Sequence, residues 1–182
     1  MMNKLFTTLS IFVAIALFTT VYGAQIAQAA EPAPVAVGYH AILGKSVSDQ
    51  AVADFIASNC TQSGSFQYCQ PAGLALWTDA NRIVRLVYLY INNAEGLATY
   101  KGELPLGLTP NDTMADVEYK LGGLIDVHAL QAGWEPGLPD ESRTPEYAHS
   151  WAVYKRFGVT IVYNSPSATD KSAAIYTIVV SK

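Results

Sequence analysis

Of the 182 residues, 51% are apolar or aromatic and 14% charged, a balance that excludes a disordered chain, which combines few apolar residues with a large net charge. Nine prolines and thirteen glycines exclude collagen-like and low-complexity character. Eleven basic against fifteen acidic residues give a formal charge of −4, which argues against a nucleic-acid partner held by phosphate contacts.

Lys4 is the only charge before Glu31. An apolar run from Leu5 to about Val21 follows it, and then Ala27-Gln28-Ala29-Ala30. A positive start, an apolar stretch and a small-residue site predict a secretory signal peptide over residues 1–30, cleaved at Ala29 or Ala30. The alternative is an uncleaved membrane anchor, since roughly 17 residues is the lower edge of a bilayer-spanning helix. The expected location is secreted or periplasmic, with no stable membrane insertion after cleavage. Residues 31–38, with Pro32 and Pro34, read as an extended lead-in to a single domain over 39–182.

The first predicted element is a helix carrying Ala51, Val52, Phe55 and Ile56, with Ser48 as its N-cap and an end near Ser58–Asn59. Cys60 and Cys69 come next, as the rims of a short loop. Gly73–Trp77 and Ile83–Ile91 read as strands separated by the turn residues Thr78-Asp79-Ala80-Asn81. A second helix is expected on Met114, Val117 and Leu121, stopped by Gly122-Gly123. Residues 126–146, with their glycines and prolines, read as a long loop. Trp151–Arg156, Val159–Tyr163 and Ala174–Val180 complete the strands, with Phe157-Gly158 and 164–171 as turns. The expected fold is therefore α+β, with two helices packed on one face of an antiparallel sheet of about five strands.

In an oxidising compartment the two cysteines most simply close their loop as a disulfide. The sharper alternative is a metal site, which needs two more ligands; no His lies nearby in sequence. No metal and no cofactor is expected.

The two halves read as a tandem helix–sheet repeat, in units 39–95 and 103–182. Leu43-Gly44-x-Ser46-x-Ser48-Asp49 aligns at an offset of 63 with Leu106-Gly107-x-Thr109-x-Asn111-Asp112. The run Leu104-Pro105-Leu106-Gly107-Leu108-Thr109-x-x-Asp112-Thr113-x-x-Asp116-Val117-x-x-x-Leu121-Gly122 resembles the opening of β-lactamase-inhibitor-protein-like repeats. It is also similar to the helix–sheet unit of small outer-membrane assembly lipoproteins. The chain departs from the lipoprotein branch in having no cysteine near Ala30. The resemblance implies a protein without enzymatic activity that binds other proteins through a concave sheet face or an exposed edge.

No G-x-S-x-G, H-E-x-x-H or phosphate-cradling glycine loop occurs in the chain. His40, His128 and His149 each lack a second His or Cys at metal-ligand spacing. A secreted hydrolase using His128 or His149 with a loop carboxylate is one alternative; a structural subunit of an extracellular or envelope assembly is another. The more informative residues are the strand aromatics Trp77, Tyr88, Tyr90, Trp151, Tyr154, Tyr163 and Tyr176. Alternation puts Tyr88 and Tyr90 on one face and Val87, Leu89 and Ile91 on the other. With the helices on the aliphatic face, the tyrosine face is expected to stay open for a partner protein or a second copy. Tyr88, Tyr90, Trp151 and Tyr154 are the candidate contact residues, and the 126–146 loop the candidate specificity element.

Overall fold

The computed structural model describes residues 38–63, 65–122, 127–133 and 149–182. The expected signal peptide and lead-in lie outside these residues, apart from Gly38, as does most of the 126–146 loop.

Helix α1 (Gln50–Asn59) begins one residue later than the Ser48 cap predicts, because Asp49 caps it and accepts from the Ala51 amide at 3.2 Å. Ser48 is used earlier, its amide donating to Ser46 Oγ in the turn that delivers Asp49 to the cap. Strand β1 (Thr61–Ser63) and strand β2 (Phe66–Cys69) form a hairpin inside the cysteine loop, with Thr61 opposite Tyr68 and Ser63 opposite Phe66. A 3-10 turn leads into strand β3 (Leu74–Thr78), which pairs with strand β4 (Val84–Tyr90). The β3–β4 turn is organised by Asp79, whose carboxylate accepts from the Asn81 and Ile83 amides and from Arg85 Nε at 2.9, 3.0 and 2.8 Å.

Helix α2 (Met114–Lys120) opens on a reciprocal cap: Thr113 and Asp116 each accept from the other's backbone amide. Ahead of it, Asp112 accepts from the Thr109 amide at 2.9 Å, from Thr109 Oγ1 at 2.8 Å and from Lys120 Nζ at 2.7 Å. Lys120 Nζ also donates to the Gly107 carbonyl at 3.2 Å. The Gly-x-Thr-x-x-Asp run thus fastens its own loop to the last turn of the helix it introduces. Strands β5 (Val127–Gly133), β6 (His149–Tyr154), β7 (Val159–Tyr163) and β8 (Ile175–Ser181) complete the chain.

All eight strands join one antiparallel sheet in the order β1-β2-β3-β4-β8-β7-β6-β5. Seven of them have four or more residues, so the sheet exceeds the five strands expected. The additional strands are β1, β2 and β5. The first two have three and four residues, too few to stand out in the sequence, and β5 stands at the sheet edge, paired with β6. Strand β6 also ends earlier than expected, because Lys155–Phe157 turns into a 3-10 bend closed by Gly158.

Each half runs the same course, one helix and then four strands, and the halves meet where β4 pairs with β8. Matching details recur. Ser46 bridges Ile83 just before β4, and Thr113 bridges Ala174 just before β8. A 3-10 turn ending in left-handed Gly73 joins β2 to β3, and one ending in left-handed Gly158 joins β6 to β7.

Both helices face the same side of the sheet. Val52 and Phe55 of α1 and Met114 and Val117 of α2 enter one buried cluster with Leu74, Leu76, Val87, Leu89, Ile161 and Ile178. The alternation expected along β4 holds: Val87, Leu89 and Ile91 belong to this cluster, while Tyr88 and Tyr90 belong to another.

The Cys60–Cys69 disulfide is present, and it extends the β1–β2 register by one pair at the end of α1. Closing so short a loop stabilises by about 2–3 kcal/mol through the unfolded state. Replacing both cysteines with alanine is expected to lower the unfolding free energy by that amount, read as a lower urea midpoint with unchanged far-ultraviolet circular dichroism. Alanine is the right substitute because Cys69 is fully buried.

Candidate binding face of the sheet

The face turned away from the helices is built in rows by the strand register. Phe66, Trp77 and Leu86 lie in one row. Tyr68, Ala75, Tyr88 and Val179 form the next, and Tyr90, Thr177, Val162 and Trp151 the third. Ala75, the smallest member, separates Tyr68 from Tyr88, and Phe66 bridges them. Its ring lies 5.8 Å from that of Tyr68 in a stacked arrangement and 5.6 Å from that of Tyr88 in a tilted one. Both are favourable aromatic geometries. Tyr176 stacks on His149 with ring centroids 4.2 Å apart.

The face is not open across its whole width. Tyr88 is 1% exposed, Tyr90 2% and Trp151 7%. Phe66, Tyr68, Trp77, Leu86 and Tyr176 are half-buried around them. Of the four expected contact residues, the register brings Tyr88, Tyr90 and Trp151 to this face and sends Tyr154 to the other. Tyr154 pairs with Val159 and sits in the helix-side cluster with Tyr163. Burial is the main cause pushing both of these phenols above the usual range, so they stay protonated at neutral pH. Phe66 and Tyr68 are further functional candidates, placed on this face by a strand where the sequence predicts a loop between the cysteines. Their spacing, one residue apart between the two cysteines, was the available signal.

Of the histidines, His40 is exposed and His149 is half-buried on the aromatic face. Burial pushes the His149 imidazole below its usual range, partly opposed by a hydrogen bond to the Tyr163 main chain. Ser150, next along β6, points to the opposite face and is fully buried, so the strand separates this histidine from the adjacent serine hydroxyl. The side chain of His128 lies outside the described residues. Among the described residues, no three His, Cys, Asp or Glu side chains come together as a metal site, and no helix is long and apolar enough to cross a membrane.

No protein-family model, curated protein or solved structure matches the chain.

Proposed function

We propose that this protein is a non-catalytic protein-binding module of the inhibitor or adaptor type, taking its partner on the helix-free face of the sheet. The observation that carries the reading is the concentration of Phe66, Tyr68, Trp77, Tyr88, Tyr90, Trp151 and Tyr176 on a face that neither α1 nor α2 covers. Tyr and Trp supply large apolar area with a polar handle, and they dominate the energetics of protein interfaces. The half-buried ring of Phe66, Tyr68, Trp77, Leu86 and Tyr176 makes the contact. Tyr88 and Tyr90 support that ring from beneath, so truncating them acts on packing before it acts on binding.

The resemblance of the 104–122 run to β-lactamase-inhibitor-like repeats points the same way, as does the paired course of the two halves. On this reading the chain is a tandem helix–sheet repeat whose eight strands present one continuous binding face. A disulfide-closed hairpin suits an oxidising compartment, and the start of the chain reads as an export signal, so the module acts outside the cytoplasm. Its acidic balance suits a neutral or basic partner, with charge acting more on association rate than on affinity.

Capture from the extracellular or periplasmic fraction tests the reading. The wild-type chain is expected to retain a partner, and a Phe66→Ala/Trp77→Ala variant to bind it at least thirtyfold more weakly, since a buried interface aromatic is worth about 2 kcal/mol or more. Unchanged affinity in a variant with an intact circular dichroism spectrum would overturn it.

A further inference from the structure

A groove of about 490 Å³ opens on the helix-covered side of the sheet, remote from the aromatic face. Leu43, Leu104 and Val180 line its interior, and Leu106 and Phe157 stand at its lips. Leu106 is 39% exposed and Phe157 37%. Among the described residues the only other exposed large apolar side chain is Tyr119, so two of three converge on this groove. Exposed apolar side chains gathered in one concave site mark recognition surfaces, whereas scattered ones do not.

Leu106 carries a second oddity. Its backbone sits at φ 61, a left-handed conformation that opposes any residue with a side chain. Its side chain stays 39% exposed in that conformation, and strain held at a surface position is a feature of ligand clamps. The third observation is charge. Glu103 and His40 line the groove, and among the described residues no lysine or arginine lines it and none forms an ion pair with Glu103. Arg156 packs over the Phe157 ring at 5.6 Å from its centroid and steadies that lip without lining the groove.

We propose that this groove is a second docking site, independent of the sheet face, for an extended protein segment carrying a large apolar side chain beside a Lys or Arg. The apolar side chain enters between Leu106 and Phe157, and the cation meets Glu103. Apolar burial supplies the affinity, and the Glu103 carboxylate supplies the charge preference.

The test is a nuclear magnetic resonance titration of the exported chain with two capped peptides, acetyl-Gly-Phe-Lys-Gly-amide and acetyl-Gly-Phe-Glu-Gly-amide. The lysine peptide is expected to shift the Leu106 and Val180 methyl signals and to bind at least tenfold more tightly than the glutamate peptide. Glu103→Gln is expected to abolish that preference while binding persists. Leu106→Gly is expected to raise the thermal midpoint, by relieving the left-handed strain, and to weaken the lysine peptide at least tenfold. The proposal is overturned by shifts confined to the aromatic face, by no shifts at millimolar peptide, by equal affinity for the two peptides, or by full binding in Leu106→Gly.

Discussion

Asp112→Ala is expected to lower the unfolding free energy by about 2–3 kcal/mol, the scale set by removing a buried carboxylate that accepts several hydrogen bonds, one of them from the partly exposed Lys120. Asp112 is almost fully buried and accepts from the Thr109 amide, the Thr109 hydroxyl and Lys120. Burial alone would raise its pKa, but the Lys120 ammonium and the Thr109 hydrogen bonds outweigh burial and hold it below the usual carboxylate range. Alanine leaves the Thr109 amide and Lys120 without that acceptor and frees the loop that introduces α2. The sign of the pH dependence follows. A carboxylate with a lowered folded pKa contributes fully above its unfolded value, about 3.9, and loses that contribution as pH falls through the folded one. The gap between wild type and Asp112→Ala in urea unfolding is therefore expected to be constant from pH 7 down to about 5 and to shrink below about pH 4. A gap unchanged at pH 2 would contradict the assignment. His149, whose pKa is lowered by burial, adds a separate loss of stability that begins as pH falls below about 6.5 in both proteins.

Gly73→Ala is expected to be at least as damaging, and Gly158→Ala clearly less so, although the two glycines occupy matching turns at φ 67 and φ 63. Both substitutions put a Cβ on a left-handed residue, at roughly 1–2 kcal/mol. At Gly73 that Cβ would also lie 2.3 Å from the Ala98 carbonyl oxygen and 2.4 Å from the Tyr100 amide nitrogen. Those atoms belong to a segment fixed by the hydrogen bond from the Tyr100 amide to the Tyr90 carbonyl, so the backbone itself has to move. At Gly158 the nearest atom is the Ser181 carbonyl oxygen at 2.8 Å, a milder approach that a few tenths of an ångström relieves. We expect about 3–4 kcal/mol at Gly73 and about 1–2 kcal/mol at Gly158, measured by thermal or urea unfolding. Equal losses would mean that the close approach of residues 98–100 does not constrain the turn.

The α+β class, both helices, the disulfide and five strands could be read along the chain because each has a dense local signal. The β-branched and aromatic run 83–91 announces a strand. The three-to-four-residue spacing of Met114, Val117 and Leu121 announces a helix. Strand β1 is three residues long and carries no such signal, and β2 carries only the Phe66–Tyr68 alternation, too short to stand out in the chain. Phe66 and Tyr68 are therefore not legible as members of the aromatic face, although the Phe66 ring ties the outer hairpin to Tyr88. Alternation along β4 gave the correct face for Tyr88 and Tyr90, but it cannot report depth, so both were expected to be open and are buried. The aromatic character of Tyr154 says nothing of its face, which only the register across β6 and β7 reveals. The Gly-x-Thr-x-x-Asp run fastens the loop before α2 to the last turn of that helix.

The most direct test of the helix-free face as the binding surface is site-specific photo-crosslinking to the captured partner. A benzophenone side chain placed at Tyr68 or Tyr176 lies on the aromatic face, and one at Tyr119 lies on α2, where the native side chain is 89% exposed. The expected result is crosslinks to the partner from positions 68 and 176 and none from 119. Crosslinks from 119 alone, with the aromatic-face positions silent in folded protein, would contradict the account.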